Sequence, residues 1–412
     1  MFHFKQETLL SCTIGFPLYP ISLIGTMANG IYMTDPLYSG NLIRFRSTHQ
    51  GWDQLESVRV SCTEALPLDR PRPTEVLSIH TDLQKNWVYG YHRDYSGGKV
   101  PNLFYNELDH SDFLQYPPRV HSLDYDQPPF LPLRNGIGAL FPSGDGRVVY
   151  SLDYLDHTKK QIALYRHTFS LLLAKPYSEI VMTWEETDYT VQHMVVSWDG
   201  SRVYMLHHKR SQEDLYAISL SEFHYHGVSD LTPSKLELIQ SVLVDQAYGH
   251  IFSTMVLLSK NDLLLIMVSY HDDERDSFGY SPISRSHLYQ NGKINQNYNL
   301  KGSKLLRNRL ETEIKVSPAL STFAIKGILG DLKTIAIDLF QITDTWSFDY
   351  IGSRFITVPN DYGKWSRGGI DFVANGSNLE LVTYDEYQDS GRHVLEVKSI
   401  SWRKLPILTR IS

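Results

Sequence analysis

The residues in this chain best placed to do chemistry are imidazoles, carboxylates and ammonium groups in short clusters. His224-Tyr225-His226 sets two imidazoles on one face of an extended segment, because side chains alternate along a strand. Such a pair gives a Zn²⁺ ion two ligands and leaves it needing a third or fourth, which the neighbouring sequence does not offer. His207-His208 follows a strand-like run. His271-Asp272-Asp273-Glu274-Arg275-Asp276 gathers oxygen ligands of the kind Ca²⁺ takes. It lacks the spaced Asp/Asn and Gly of a calcium loop, so a charged connection is expected. From Asn291 to Arg309 there is no acidic residue, while Lys293, Lys301, Lys304, Arg307 and Arg309 are present and Tyr289 and Tyr298 lie beside or within the stretch. Cations interleaved with aromatics engage phosphate or an acidic peptide. No Gly-x-Ser-x-Gly elbow and no phosphate- or dinucleotide-binding glycine pattern occurs. The expectation is therefore no catalytic residue, no metal and no cofactor, with Tyr298, Lys301, Lys304, Arg307 and Arg309 as the partner-binding candidates.

The elements that would position these groups are set by a repeat. Ser143-Gly144-Asp145-Gly146-Arg147-Val148-Val149-Tyr150 recurs 54 residues later as Ser197-Trp198-Asp199-Gly200-Ser201-Arg202-Val203-Tyr204. Asp-Gly between two β-rich runs is a hairpin turn, since Gly takes φ > 0 without steric cost. Asp145 and Asp199 thus read as turn formers, not catalytic carboxylates. Degenerate copies follow at Ser259-Lys260-Asn261-Asp262 and Asn375-Gly376-Ser377-Asn378, and weaker ones at Ala28-Asn29-Gly30 and Thr81–Asn86. Seven units result, beginning near residues 21, 75, 137, 190, 250, 314 and 368, each with room for three or four strands. Helical signals are scarce: Leu305–Ile314 fits two helical turns, and Ser234–Val242 fits a helix or a strand.

A small sheet cannot bury both faces alone, and neighbours around a ring supply the cover. The fold class is therefore all-β: one β-propeller domain over residues 1–412, with seven blades of three to four antiparallel strands. Long inter-strand loops fall near 63–74, 106–135, 271–286 and 291–309. Closure of the ring predicts that Phe2–Ile14 adds an outer strand to the last unit.

Composition narrows the classes further. The chain has 412 residues, 42% of them hydrophobic, with 26 Tyr and a formal net charge of −7. That balance argues against a dedicated nucleic-acid binder. Two cysteines, Cys12 and Cys62, do not make a disulfide framework, which points to a reducing interior, cytoplasm or nucleus. The uncharged stretch Thr8–Thr34 is interrupted by Gly15, Pro17, Pro20 and Gly25, so it reads as strands and not as a membrane span.

Gly249-His250, the apolar run after it and the turn at Ser259–Asp262 resemble the opening and first turn of a WD40 repeat. The Ser-x-Asp-Gly turns of the third and fourth units fit the same pattern. The chain thus resembles the β-propeller superfamily, most closely a divergent WD40-repeat protein. No unit ends its third strand in Trp-Asp; Trp52-Asp53 and Trp198-Asp199 lie elsewhere. The resemblance implies a non-catalytic scaffold binding other protein subunits of an intracellular complex. The alternatives are a propeller enzyme, hydrolase- or lactonase-like, with a metal in the central channel, and a phosphate or nucleic-acid reader using the basic stretch 291–309.

Overall fold

A computed structural model describes residues 2–404 except residues 60 and 86 and the segments 15–22, 26–29, 36–40, 63–73, 95–100, 108–118, 121–139, 157–160, 169–176, 186–189, 211–214, 228–234, 249–250, 272–281, 301–308, 330–333, 344–346, 358–367 and 376–377. The described elements are all strands.

The chain opens with β1 (Phe2–Ile14). Blade 1 is β2 (Leu23–Gly25), β3 (Gly30–Thr34), β4 (Asn41–Thr48) and β5 (Gly51–Arg59). The short β6 (Ser61–Cys62) follows. Blade 2 is β7 (Thr74–Thr81), β8 (Trp87–Asp94) and β9 (Pro101–Glu107). The isolated β10 (Arg119–Val120) pairs in parallel with β6. Blade 3 is β11 (Leu140–Pro142), β12 (Val148–Asp156), β13 (Gln161–Thr168) and β14 (Tyr177–Glu185). Blade 4 is β15 (Thr190–Val196), β16 (Arg202–Arg210), β17 (Leu215–His226) and β18 (Lys235–Tyr248). Blade 5 is β19 (Ile251–Leu257), β20 (Leu264–His271), β21 (Pro282–Gln290) and β22 (Lys293–Asn295). Blade 6 is β23 (Arg309–Val316), β24 (Thr322–Leu329), β25 (Thr334–Ile342) and β26 (Phe348–Thr357). Blade 7 is β27 (Gly368–Asn375), β28 (Asn378–Asp389) and β29 (Arg392–Lys404), with β1 as its fourth strand.

The first strands of the blades touch one another in sequence, β2 to β7 to β11 to β15 to β19 to β23 to β27 and back to β2, so they form the inner wall of a closed seven-bladed ring. β1 closes it as expected, running antiparallel along β29 from Phe2↔Lys404 to Ile14↔His393. The core is a set of apolar layers between successive blades, such as Phe141, Tyr150, Leu164, Met194 and Val203 between blades 3 and 4. Each layer covers the face that its neighbour cannot bury alone.

The turns between first and second strands show why the repeat exists. In blade 3 the Ser143 hydroxyl donates to Asp145 Oδ1 at 2.8 Å and accepts from Val148 N–H at 3.1 Å. Ser197 does the same in blade 4, to Asp199 Oδ1 at 2.7 Å and from Arg202 N–H at 2.9 Å. Gly146 and Gly200 sit at φ 75° and 76°, as the turn requires. Ser259 accepts from Leu263 N–H and Ser317 from Thr322 N–H in the next two blades. In blade 2 the role passes to Asp82, whose Oδ1 accepts from Trp87 N–H at 2.7 Å. Neighbouring blades are then bolted together: Tyr89 O–H donates to the Gly146 carbonyl, and Tyr150 O–H to that of Gly200 at 3.0 Å.

Two local expectations are corrected. Arg309–Ile314 belongs to β23 and forms no helix. Ile314 and Val316 are buried while Glu313 and Lys315, which alternate with them, are half-buried, a period of two that overrides helix propensity. Ser234–Val242 resolves to a strand from Lys235 onward, the outermost of blade 4.

Candidate functional site

The inner wall carries the chemistry. Counted back from the residue that opens each turn (Asp82, Ser197 or Ser317), the second and fourth positions lie on one face of the inner strand, because strand side chains alternate. On β7 the second position is His80; on β15 the fourth is His193; on β23 they are Lys315 and Glu313. All four are half-buried, while their strand neighbours Ile79, Met194, Ile314 and Val316 are buried. The Lys315 ammonium on blade 6 is close enough to lower the pKa of His80 on blade 2 and of His193 on blade 4. Blades 2, 4 and 6 do not adjoin in the ring, so this influence acts across its interior, where the inner strands lie.

Burial, with Lys315 adding to it, holds both imidazoles neutral, His80 lowered to about 3 and His193 to about 4. His80 Nε2 and His193 Nδ1 have no hydrogen-bond partner among the described residues. Glu313 faces its own strand neighbour, with Oε1 3.6 Å from Lys315 Nζ, and its Oε2 accepts from Ile370 N–H at 3.1 Å. Burial pushes the Glu313 carboxyl up and Asp371 adds to that, against the pull of Lys315, Lys326 and the Ile370 amide.

Two buried ion pairs frame this set. Lys85, from the turn of blade 2, sits at φ 59° and reaches Asp371 Oδ2 on β27 at 2.6 Å. The same oxygen accepts from Gly25 N–H of blade 1 at 2.7 Å, so three successive blades meet at one carboxylate. Lys326 pairs with Asp385 at 2.6 Å and donates to the Tyr384 carbonyl at 2.8 Å.

The side chains singled out from sequence lie elsewhere. His224 and His226 do share a face, with ring centroids 4.8 Å apart, and His226 reaches Glu237 at 3.2 Å. Among the described residues no group of three or more His, Cys, Asp or Glu side chains is arranged to hold a metal. His208 is buried and bonds Ser253 Oγ at 2.9 Å. Tyr298 packs edge-on to Phe348 at 5.7 Å, between blades 5 and 6. Lys301, Lys304 and Arg307 lie outside the described residues; Arg309 opens β23. Most of the loops near 63–74, 106–135 and 271–286, and Gly249-His250, also lie outside them. Among the described residues no helix is long and apolar enough to cross a membrane.

No protein-family description and no curated protein matches this chain. Solved structures do match in shape. A provisionally named 6-phosphogluconolactonase of Bacteroides uniformis is 14% identical, with a TM-score of 0.43 over 81% of this chain and 88% of that one. The periplasmic gluconolactonase PpgL of Pseudomonas aeruginosa is 12% identical, with a TM-score of 0.41 over 82% and 89%. A puromycin hydrolase is 12% identical, with a TM-score of 0.46 over 89% of this chain and 50% of that one.

The class is thus a seven-bladed β-propeller. The narrower WD40 resemblance gains no support: Trp52-Asp53 lies at the start of an outer strand and Trp198-Asp199 lies in a turn. The expectation of a non-catalytic scaffold in an intracellular complex is corrected too. The three propellers named above carry names of lactonases and of a hydrolase, and none of them that of a scaffold.

Proposed function

We propose that the protein is a hydrolase whose site is the central channel, cleaving a small ester or lactone by general acid–base catalysis. The observation that carries this reading is the pair of neutral imidazoles, His80 and His193, each with a buried ring nitrogen that has no partner among the described residues and each within the influence of the Lys315 ammonium. A neutral imidazole accepts the proton of an attacking water. The Lys315 ammonium faces the charge that develops on the carbonyl oxygen, the place where preorganised electrostatics help most. Glu313, its carboxyl raised by burial, delivers a proton to the departing alkoxide. The imidazolium then returns the water's proton to the Glu313 carboxylate, and the balance is one water consumed for one acid and one alcohol. The lactonase names of the neighbouring propellers agree with this class of reaction, and the side chains carry the argument.

The test is hydrolysis of a panel of aryl esters and aliphatic lactones by the purified chain, compared with His80→Gln and His193→Gln. Loss of the general base lowers kcat by about 10²–10⁴-fold. Absence of any turnover across the panel, or wild-type kcat in both variants, overturns the proposal.

A further inference from the structure

We infer that a cleft between blades 7 and 1, away from the inner strands, binds an uncharged saccharide. The cleft encloses about 370 Å³, within the range of about 300–1,000 Å³ of sites that take a small molecule. Its walls are β1, the start of β28 and the end of β29 on blade 7, and the β4–β5 hairpin on blade 1; no residue of an inner strand lines it. The inference therefore does not rest on the hydrolase reading.

The floor follows from the register of blade 7. Lys5, Ser401 and Glu380 lie side by side on adjacent strands, and Glu7 lies beside Ser399 two residues along the same face. Farther along that face Val382 and Val397 join the apolar layer shared with Ile31, Met33 and Phe45 of blade 1. The layer between these two blades thus turns polar at one end. Glu380 and Ser399 are buried there and Ser401 is half-buried. Serine is too short to reach across to blade 1, and the space stays open. The opposite wall is built to match. Thr48 Oγ1 donates to the Gly51 carbonyl at 2.8 Å and accepts from Gln50 N–H at 3.3 Å, which fixes the hairpin turn. Gly51 sits at φ 134°, and a Cβ there would lie 3.0 Å from Glu7 Oε1, so its missing side chain lets the carboxylate come up to the hairpin. Trp52 is half-buried, packs on the apolar layer and lines the cleft.

Charge and shape then select the ligand. Two cations, Lys5 and Arg403, line the cleft with two carboxylates, Glu7 and Glu380. Lys5 Nζ is 4.0 Å from Glu7 Oε2. An anion would meet the carboxylates and a cation the ammonium and guanidinium groups, each at a like-charge cost. An apolar ligand would strip water from groups that it cannot bond. Sugar hydroxyls both donate and accept, which suits walls that mix donors with acceptors. The C–H face of a sugar ring is flat and apolar enough to lie on an indole, as Trp52 offers.

The probes are glucose, galactose, mannose, N-acetylglucosamine, maltose and cellobiose at millimolar concentration, titrated into the full chain and followed by calorimetry. At least one is expected to bind saturably. Trp52→Ala is expected to weaken that binding about tenfold. Gln50→Ala, at an exposed turn position, is expected to weaken it about threefold. Ser401→Tyr fills the cleft and is expected to abolish it; these last two variants serve if Trp52→Ala does not fold. No saturable binding by the folded chain, or sugar binding that survives Ser401→Tyr, overturns the inference. Tighter binding of sulfate or of an acetylated tripeptide amide than of every sugar overturns it as well. Ester turnover without sugar binding would leave the hydrolase reading intact and remove this one. Sugar binding that Ser401→Tyr abolishes, in a chain that turns over no ester, would do the reverse.

Discussion

Replacing Lys85 with Met tests what holds the ring at its seam. Lys85 and Asp371 are almost fully buried, 6% and 7% exposed at the side chain, and 2.6 Å apart. Met keeps the length and the apolar stem but removes the charge, leaving the Asp371 carboxylate with the Gly25 and Phe372 N–H groups. Breaking one partner from a buried pair costs about 3–5 kcal/mol, and those two amides put the expected loss near the lower end, about 3 kcal/mol. The double variant Lys85→Met/Asp371→Asn removes the orphaned charge as well. It should recover at least half of that loss, because the penalty lies in the unpaired carboxylate more than in the missing attraction. Urea unfolding followed by tryptophan fluorescence measures both, and Trp87 lies two residues from the change. Amide exchange adds a local reading: opening should concentrate in β2 and β27, whose junction the pair secures. A Lys85→Met protein within about 1 kcal/mol of the parent, or a double variant showing only the sum of two single losses, would refute the account of Asp371 as a shared anchor.

The turn glycines give a second comparison. Gly200→Ala faces a left-handed cost of about 1–2 kcal/mol and overpacking of about 1–3 kcal/mol, since a Cβ there lies 2.8 Å from that of Val148. Gly391→Ala, at φ 80° with nothing within 4 Å, should lose only the first part; equal losses in thermal melts would show that blade contact is irrelevant. Acid stability is the third. His167 and His208 are buried and lowered to about 3 and about 4. The unfolded chain takes up protons below about pH 6.5 that the folded chain refuses, so each imidazole removes about 1.4 kcal/mol of stability per pH unit as pH falls toward its folded value. Denaturation midpoints between about pH 7 and about pH 5 should fall accordingly, and His208→Gln should lessen the slope by one proton. A flat profile would mean that these rings charge freely in the fold.

The fold was legible because its signals are local. Ser-x-Asp-Gly is a turn whose hydroxyl, carboxylate and glycine each do a job within six residues, so two copies sufficed to set the period. Ser317 was missed as a fourth member after Ser143, Ser197 and Ser259 because its turn has neither Asp-Gly nor Asn-Asp, although it keeps the serine that caps the next strand. The channel site was not legible in the same way. His80, His193 and Lys315 lie far apart in sequence, and their chemistry depends on which face of which strand lines the ring. Each looks like an isolated polar residue in an apolar run. A signal did exist: aligned on the residue that opens the turn, His80 and Lys315 share one position, and His193 and Glu313 share another two residues earlier. The clusters that drew attention by composition, such as His224-Tyr225-His226, are exposed or half-buried on the third strand of a blade, away from the wall.

The pairing of β1 with β29 has a consequence in time. At about 5–20 residues per second, a ribosome needs on the order of 20–80 s to make the roughly 400 residues that separate Phe2 from its partner Lys404. Of the strands of the ring, β1 is therefore made first and paired among the last. Through that interval a thirteen-residue edge, with Leu9, Leu10 and Cys12 destined for the core, has no sheet to join. A nascent chain of this protein carries an aggregation-prone edge until blade 7 emerges, and a chaperone that shields that edge would set the yield of closed rings.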